Sequence, residues 1–320
     1  MSFNFLNQLP SPEEIKKEYP LPEKLAQIKK ERDAAIRKVL TGEDNRFLVI
    51  IGPCSADSEE PVCDYVSRLT KIAEDVKDRL IIIPRVYTNK PRTTGEGYKG
   101  IATQPDPEKA PDMVAGLIPE NWSYIDDLLS YVAIGARSVE DQQHRLVVSG
   151  FDVASGMKNP TSGDFSVMLN SVYAAQHPHH FVYRGYEVET PGNDLTHVVL
   201  RGAVSKHGNS TQNYHYEDIM RLIEMYNERD LKNPAAIVDA NHSNSNKKYF
   251  EQIRIVKEVM HNRQLSPEIH KMIKGVMIES YIEPGNQKIG EHIYGKSITD
   301  PCLGWEDSAR LIYDIAEMNK

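Results

Sequence analysis

The segment FLVIIGPCSADS, residues 47–58, joins five consecutive apolar residues to a polar turn. Apolar residues on consecutive positions are typical of a strand that is buried on both faces of a parallel sheet. From Val62 to Val76 the apolar residues then recur at intervals of three and four, which is the spacing of an amphipathic helix. The segment therefore predicts a strand followed by a helix, the repeating unit of an α/β fold.

Short apolar, β-branched runs recur along the chain and predict a parallel sheet. They are residues 80–86, 132–137, 152–158, 179–185, 197–202, 235–242 and 275–281, and helical stretches separate most of them. Such repeats build either a closed (β/α)8 TIM barrel or an open doubly wound sheet. No GxGxxG follows the first strand, and IGPCSADS is not a phosphate-binding P-loop, so the α/β barrel is favoured.

Two further features are expected around this barrel. Residues 186–196 are too few for a helical crossover between the runs at 179–185 and 197–202, so the two runs are predicted to form an inserted β-hairpin. Residues 1–45 are predicted to be an N-terminal arm and helix for oligomerisation or regulation, and residues 46–320 the catalytic barrel.

Within this N-terminal region, the prolines of residues 1–21 suggest an extended arm. The helix that follows has Leu25, Ile28 and Ile36 on one face and is expected to end at Thr41 and Gly42. Its apolar face needs either a partner surface or the protein's own barrel.

Composition excludes several classes of protein. The 320 residues carry a net charge of −8 with no basic block, which disfavours binding to nucleic acid or to a membrane surface. The apolar runs are far shorter than the ~20 residues that cross a bilayer, and the polar N-terminus does not resemble a secretory signal. Three cysteines form no disulfide framework. We therefore expect a cytoplasmic protein.

Polar residues that follow the predicted strands are the candidate site, because the chemistry of such barrels lies at the carboxyl ends of the strands. One set offers a thiolate, an imidazole and two carboxylates, which suits a borderline divalent transition metal: Cys54, His242, Glu279 and Asp300. The other set is cationic and could hold two phosphates and a carboxylate: Arg85, Lys90, Arg92, Arg137, Lys158 and Arg201.

Each of these residues also has an ordinary structural interpretation. A buried cysteine is usually a small apolar side chain, a histidine after a strand is often hydrogen-bonded for structure, and a strand-end arginine is often paired with a neighbouring carboxylate. Their coincidence on one rim is what favours a functional site.

Eight motifs together resemble the type I 3-deoxy-D-arabino-heptulosonate 7-phosphate (DAHP) synthases, which are metal-dependent (β/α)8 barrels. They are VIIGPCS (49–55), PRVYTNKPRTT (84–94), YVAIGARSVEDQQHR (131–145), GMKNPTSG (156–163), VVLRG (198–202), IVDANHSNSNK (237–247), GVMIESYIEPGNQ (275–287) and YGKSITDPCLGWE (294–306). The segment at 90–93 differs from that of the related octulosonate phosphate synthases.

The resemblance implies a reaction and a role for each set of residues. Phosphoenolpyruvate would condense with erythrose 4-phosphate, releasing phosphate, in the first step of the shikimate pathway. A divalent metal ion (Mn, Fe, Co or Zn) would be held by Cys54, His242, Glu279 and Asp300. Phosphoenolpyruvate would be bound by Arg85, Lys90, Gly135, Ala136, Arg137, Lys158 and Arg201, and erythrose 4-phosphate by Lys90, Pro91, Arg92 and Thr93. Lys90 and His242 are the candidates for proton transfer, and Cys54 belongs to the catalytic set as a ligand.

The resemblance also implies an aromatic amino acid effector and a homodimer or homotetramer.

One feature departs from the family pattern: the third β-strand, with its glutamate near phosphoenolpyruvate, is not visible where Leu117 runs into Pro119. Either the chain is truly shortened there or residues are missing from the sequence between these positions, and we favour the second because the rest of the site is complete. A real deletion would favour the alternative of a non-catalytic, metabolite-binding barrel.

Overall fold

The computed structural model describes residues 8–88, 96–109 and 122–319. Its strands are β1 (Phe47–Gly52), β2 (Leu80–Pro84), β3 (Tyr131–Ile134), β4 (Ala154–Lys158), β5 (His179–Tyr183), β6 (Tyr186–Thr190), β7 (Thr196–Leu200), β8 (Ala203–Val204), β9 (Ser210–Thr211), β10 (Ala236–Asp239), β11 (Ile273–Glu279), β12 (Glu283–Asn286) and β13 (Lys296–Ser297).

Helices cover the outside of the sheet and its amino end. They are α1 (Pro12–Glu18), α2 (Glu23–Thr41), α3 (Glu59–Asp75), α4 (Trp122–Ile125), α5 (Gln142–Val148), α6 (Phe165–Gln176), α7 (Tyr216–Asn227), α8 (Glu251–Leu265), α9 (Pro267–Met272) and α10 (Trp305–Met318). Among the described residues, no helix combines the length and the apolar character needed to span a membrane.

Seven parallel strands form one curled sheet in the order β2-β1-β11-β10-β7-β4-β3. This arrangement confirms the predicted α/β barrel class. The two outer strands are β2 and β3, and the described residues between them form no strand. The predicted interruption at Leu117–Pro119 lies outside the described residues, so the fate of the family's third strand stays a prediction.

Both faces of the inner strands β1, β4, β7, β10 and β11 are buried, as the consecutive apolar residues predict. In β1, Phe47, Val49 and Ile51 pack in the layer between the sheet and the outer helices. The alternate residues Leu48 and Ile50 belong to a second cluster inside the barrel. Because successive side chains of a strand point to opposite faces, one run of five apolar residues serves both cores.

Helix α2 closes the amino end of the barrel. Ile36, Val39 and Leu40 are buried in the interior cluster together with Leu48 and Ile50. The helix ends at Gly42, whose φ of 85° is the left-handed conformation that glycine adopts easily. The predicted end of this helix is therefore confirmed. Ile36 of its predicted apolar face packs on the protein's own barrel, whereas Leu25 is exposed.

The prediction of an extended arm over residues 1–21 is wrong for Pro12–Glu18, which form α1. Ser11 begins the helix with a capping box: its hydroxyl accepts from the N–H of Glu14 at 3.2 Å, and the Glu14 carboxylate accepts from the N–H of Ser11 at 2.7 Å. Pro12 occupies the first helical position, where the missing N–H costs nothing. Proline was therefore a helix start here rather than a sign of extended chain.

An inserted β-hairpin is present, but the prediction of its second strand is wrong. β5 pairs antiparallel with β6, and the turn at Arg184 and Gly185 has φ values of 53° and 79°. Residues 197–202 belong instead to β7 and its end, within the barrel sheet. β6 is largely exposed and has no run of apolar residues, whereas β7 is fully buried and contains consecutive apolar residues. β7 therefore gave the stronger strand signal, and the second strand of the hairpin was assigned to it.

Candidate active site

The carboxyl ends of β1 and β11 bring three potential metal ligands together. Cys54 follows β1, Glu279 ends β11, and Asp300 lies in the loop before α10. One ligand atom from each of the three lies within 4.8 Å of the others. A thiolate with two carboxylates is a donor set that suits a divalent transition metal, so these residues fit such an ion.

His242 stands beside this group. Its backbone is in the left-handed conformation with φ 50°, which directs the chain away from the sheet after β10. Its Nε2 atom lies 3.8 Å from Glu279 Oε1, and its Nδ1 atom lies 2.8 Å from Asp239 Oδ2. Nδ1 thus faces a carboxylate and Nε2 faces the ligand group, which places the ring where a histidine ligand of a metal ion would stand.

Arg85, after β2, is tied to the same centre. Its Nη2 atom lies 3.2 Å from Glu279 Oε1, its Nη1 atom donates to the Pro53 carbonyl, and its guanidinium packs over the Tyr87 ring at 4.9 Å. Burial would lower the pKa of Arg85, but the negative charges of Glu279 and Cys54 outweigh it and hold that pKa above its ordinary value. The guanidinium is thus a fixed positive charge beside the ligands.

Lys158 and Asp239 form a buried ion pair inside the rim. Lys158 Nζ lies 2.7 Å from Asp239 Oδ2, the oxygen that also contacts His242. Burial would raise the pKa of Asp239, but His242 and Lys158 together hold it well below its ordinary value. One carboxylate therefore orients both a candidate metal ligand and a candidate substrate-binding cation.

Arg201, after β7, has a buried Nη1 atom with no hydrogen-bond partner among the residues that the structure describes. Burial lowers the pKa of Arg201, the attraction of Asp239 opposes that effect, and the nearby positive charge of Arg137 adds to it. Arg137 itself is exposed and follows Gly135 and Ala136 at the end of β3. A desolvated guanidinium atom without a partner favours an anionic ligand at this position.

The structure therefore brings together the candidates that it describes on one rim. These are Cys54, Arg85, Gly135, Ala136, Arg137, Lys158, Arg201, His242, Glu279 and Asp300. The remaining candidates, Lys90, Pro91, Arg92 and Thr93, lie outside the described residues.

Three further residues contact the candidate site and were not predicted from the sequence. Asp239 contacts Lys158 and His242, Asn241 donates to the Glu279 carboxylate, and Gln252 bonds the Glu279 main chain. Asp239 ends an apolar run three residues before His242, and that position is the signal that could have found it. Gln252 lies in a helix and had no comparable signal.

Residues 24–312 match the family model described as the DAHP synthetase I family. The chain belongs to this family. A phospho-2-dehydro-3-deoxyheptonate aldolase of Haemophilus influenzae is 34% identical over 342 residues, which cover 98% of this chain and 92% of the relative. The Phe-sensitive aldolase of Escherichia coli K12 is 34% identical, with 98% and 95% covered, and the Tyr-sensitive one is 34% identical, with 96% and 92% covered.

A solved structure supports the same membership in the DAHP synthetase I family. The phospho-2-dehydro-3-deoxyheptonate aldolase of Francisella tularensis SCHU S4 superimposes with a TM-score of 0.89 at 29% identity, over 99% of this chain and 98% of that one. The alignment with the Haemophilus influenzae relative spans more positions than the 320 residues of this chain, so the relative has residues without a counterpart here.

Proposed function

We propose that this chain is a metal-dependent synthase that condenses phosphoenolpyruvate with erythrose 4-phosphate to give DAHP and phosphate, the first step of the shikimate pathway. The observation that carries the proposal is the group of Cys54, Glu279 and Asp300, within 4.8 Å of one another on the rim that also holds the cations. The names of the relatives support the same activity.

Cys54, His242, Glu279 and Asp300 would hold the divalent ion, which is Mn, Fe, Co or Zn. Bound there, the ion supplies Lewis-acid stabilisation to the aldehyde oxygen, on which negative charge develops as the new carbon–carbon bond forms. Glu279 contributes a carboxylate whose second oxygen is already held by Asn241, so little reorganisation is needed on binding.

Phosphoenolpyruvate would be bound by Arg85, Lys158 and Arg201, with Gly135, Ala136 and Arg137 beside them. Arg201 offers a buried Nη1 atom that lacks a hydrogen-bond partner in the described structure. Asp239 holds the Lys158 ammonium at 2.7 Å and so limits the freedom that binding would otherwise remove. These cations would neutralise the phosphate and the carboxylate and support the oxocarbenium-type intermediate that water captures.

Erythrose 4-phosphate would be received by Lys90, Pro91, Arg92 and Thr93, with Arg92 on its phosphate. Lys90 would exchange a proton with the aldehyde oxygen, and His242 with the attacking water. The contact of His242 with the buried Asp239 supports an imidazole whose orientation is held throughout.

A phosphate-release assay with both substrates and manganese tests the proposal. We expect turnover that a chelator abolishes, and loss of turnover in Cys54→Ala but not in the matched control Cys63→Ala, which removes an exposed cysteine of α3. Turnover that survives the chelator, or that persists in Cys54→Ala, would remove the metal from the mechanism. Calorimetric binding of phosphoenolpyruvate without turnover would favour the non-catalytic barrel. A preference for arabinose 5-phosphate would favour the related octulosonate synthase.

An aromatic amino acid effector and a homo-oligomer are part of the same proposal. Relatives are named Phe-, Trp- and Tyr-sensitive. In this chain the exposed apolar residues Tyr19 and Leu25 lie in the N-terminal region and Val182 and Tyr186 in the hairpin. Adding phenylalanine, tyrosine or tryptophan to the assay should reveal which one inhibits, and sedimentation should give a dimer or a tetramer. Tyr186→Ser should shift that equilibrium toward the monomer.

A further inference from the structure

Glu279 ends β11 at a point where the neighbouring strand has already left the sheet. The last main-chain bond from the β10 side runs from the N–H of Ala240 to the carbonyl of Met277. On the opposite side β1 still pairs with Glu279 through Gly52. The Glu279 carbonyl accepts from the N–H of Leu303 at 2.9 Å, whereas the N–H of Glu279 lies beyond the end of β10. Glu279 is only 1% exposed, so water cannot satisfy this N–H.

The side-chain amide of Gln252, in α8, satisfies the N–H of Glu279. Its Oε1 atom accepts from the N–H of Glu279 at 2.8 Å, and its Nε2 atom donates to the carbonyl of Glu279 at 2.9 Å. The bond to the N–H replaces the one that a longer β10 would supply, and the carbonyl is shared between Gln252 and Leu303. Gln252 is completely buried and its Nε2 atom also donates to the Tyr249 carbonyl, so its orientation is fixed.

Asn241 holds the other end of the same residue. Its Nδ2 atom donates to Glu279 Oε2, while its Oδ1 atom accepts from the Ser245 hydroxyl at 2.7 Å and its N–H donates to Asp239 Oδ1 at 3.1 Å. Because a carboxylate only accepts hydrogen bonds, this pattern sets which way the amide points. With Oε2 engaged, Oε1 is the oxygen that faces His242 Nε2 at 3.8 Å.

We propose that Gln252 and Asn241 are positioning residues for the metal ligand Glu279, one holding its main chain beyond the end of β10 and the other holding its carboxylate. The inference rests on the proposed function, since it assigns a purpose to the placement of a ligand. Neither residue belongs to the ligand set or to the substrate-binding set. Groups that orient metal ligands typically contribute about 10- to 100-fold to metal affinity or activity.

Cobalt(II) titration of the full-length protein tests the inference, because the absorption of bound cobalt reports both affinity and ligand geometry. Gln252→Met keeps the size of the side chain and removes both hydrogen bonds, and Asn241→Leu removes the contact with the carboxylate. Each should weaken cobalt binding by about 10-fold or more and change the absorption spectrum. Val259→Ala, a fully buried change elsewhere in α8, should lower the unfolding midpoint and leave cobalt affinity and spectrum unchanged.

The outcomes separate the inference from the function on which it rests. Wild-type protein that binds cobalt, together with folded Gln252→Met and Asn241→Leu proteins that bind it within twofold of wild type, would overturn the inference alone. Wild-type protein that binds no cobalt would overturn both. Should Gln252→Met fail to fold, Asn241→Leu decides by itself, since it leaves the main-chain contacts of Glu279 in place.

Discussion

The two ends of the barrel differ in chemical character: the carboxyl end is charged, and the amino end is apolar. At the carboxyl end, buried charges face one another: Lys158 with Asp239 at 2.7 Å and Arg85 with Glu279 at 3.2 Å. At the amino end, α2 places Ile36, Val39 and Leu40 against the apolar interior. The same strands run through both regions, so the difference lies in which residues occupy their ends.

This contrast separates function from stability. Burying a large apolar side chain contributes about 1.5–3 kcal/mol to folding, whereas a buried ion pair roughly breaks even against its desolvation. The amino end should therefore stabilise the barrel, and the carboxyl end should bind ligands at little gain in stability. Substitutions at the two ends should move activity and the free energy of unfolding independently.

The largest effect is expected at the carboxyl end. Arg201→Met removes a guanidinium whose buried Nη1 atom has no hydrogen-bond partner in the described structure. Phosphoenolpyruvate would then lose charged hydrogen bonds that together contribute about 4 kcal/mol. This loss corresponds to a decrease of roughly 10³-fold in kcat/KM. The free energy of unfolding should stay the same or rise, because a desolvated charge is lost. Steady-state kinetics measure the change in kcat/KM, and urea unfolding of the same preparation measures the change in stability. A large loss of stability would contradict the proposed difference between the two ends of the barrel.

At the amino end, Leu40→Ala should lower stability and leave activity unchanged. Leu40 is 1% exposed, and truncation should lower the free energy of unfolding by about 3 kcal/mol, with turnover per folded molecule unchanged. Leu25→Ala is the matched control in the same helix, since Leu25 is 49% exposed and its loss should cost under about 0.5 kcal/mol. Equal losses of unfolding free energy in both variants would show that the burial of α2 against the barrel interior is not what stabilises the protein.

His197 is a polar exception in the barrel interior and predicts a pH dependence. It is buried, and its Nε2 atom lies 2.8 Å from the Tyr131 hydroxyl oxygen. Burial lowers the pKa of His197 from 6.5 to about 4. Below pH 6.5 the unfolded chain thus binds a proton that the folded protein does not, so stability is full above that pH and falls as the pH drops toward 4.

Between pH 7 and pH 5 this difference amounts to about 2 kcal/mol of unfolding free energy. Urea unfolding of the wild type and of His197→Gln at both pH values isolates the contribution of this residue, because the other ionisable groups are common to both proteins. We expect the wild type to lose about 2 kcal/mol more than the variant over this range. An identical pH dependence would mean that His197 binds a proton in the folded protein.

The smallest effect is expected at the N-terminal cap. Ser11→Ala removes the hydroxyl that accepts from the Glu14 N–H and should destabilise α1 by about 1 kcal/mol, without affecting turnover. Hydrogen exchange of the α1 amides should speed up by about fivefold while the exchange of α2 stays constant. Faster exchange in both helices would indicate that α1 and α2 open together.

Both wrong predictions concern segments that are largely exposed. The strands at Phe47–Gly52, Ala236–Asp239 and Ile273–Glu279 were predictable because burial on both faces demands consecutive apolar residues. The hairpin strand at Tyr186–Thr190 is largely exposed and its pattern is mixed, so its partner was misassigned. Helix α1 is likewise largely exposed, so no apolar pattern marks it, and its start is indicated only by the capping-box spacing of Ser11 and Glu14.

Sequence alone determined the α/β barrel class, the order of its strands along the chain, and the chemical types that follow each strand. These depend on local pattern: side-chain burial sets the strands, and polar residues directly after them must lie at one rim. Only the tertiary structure decided that Cys54, Glu279 and Asp300 come within 4.8 Å, and that Gln252 completes the ladder at Glu279. Such contacts join residues far apart in the chain, and their geometry depends on how each strand ends, which no local pattern records.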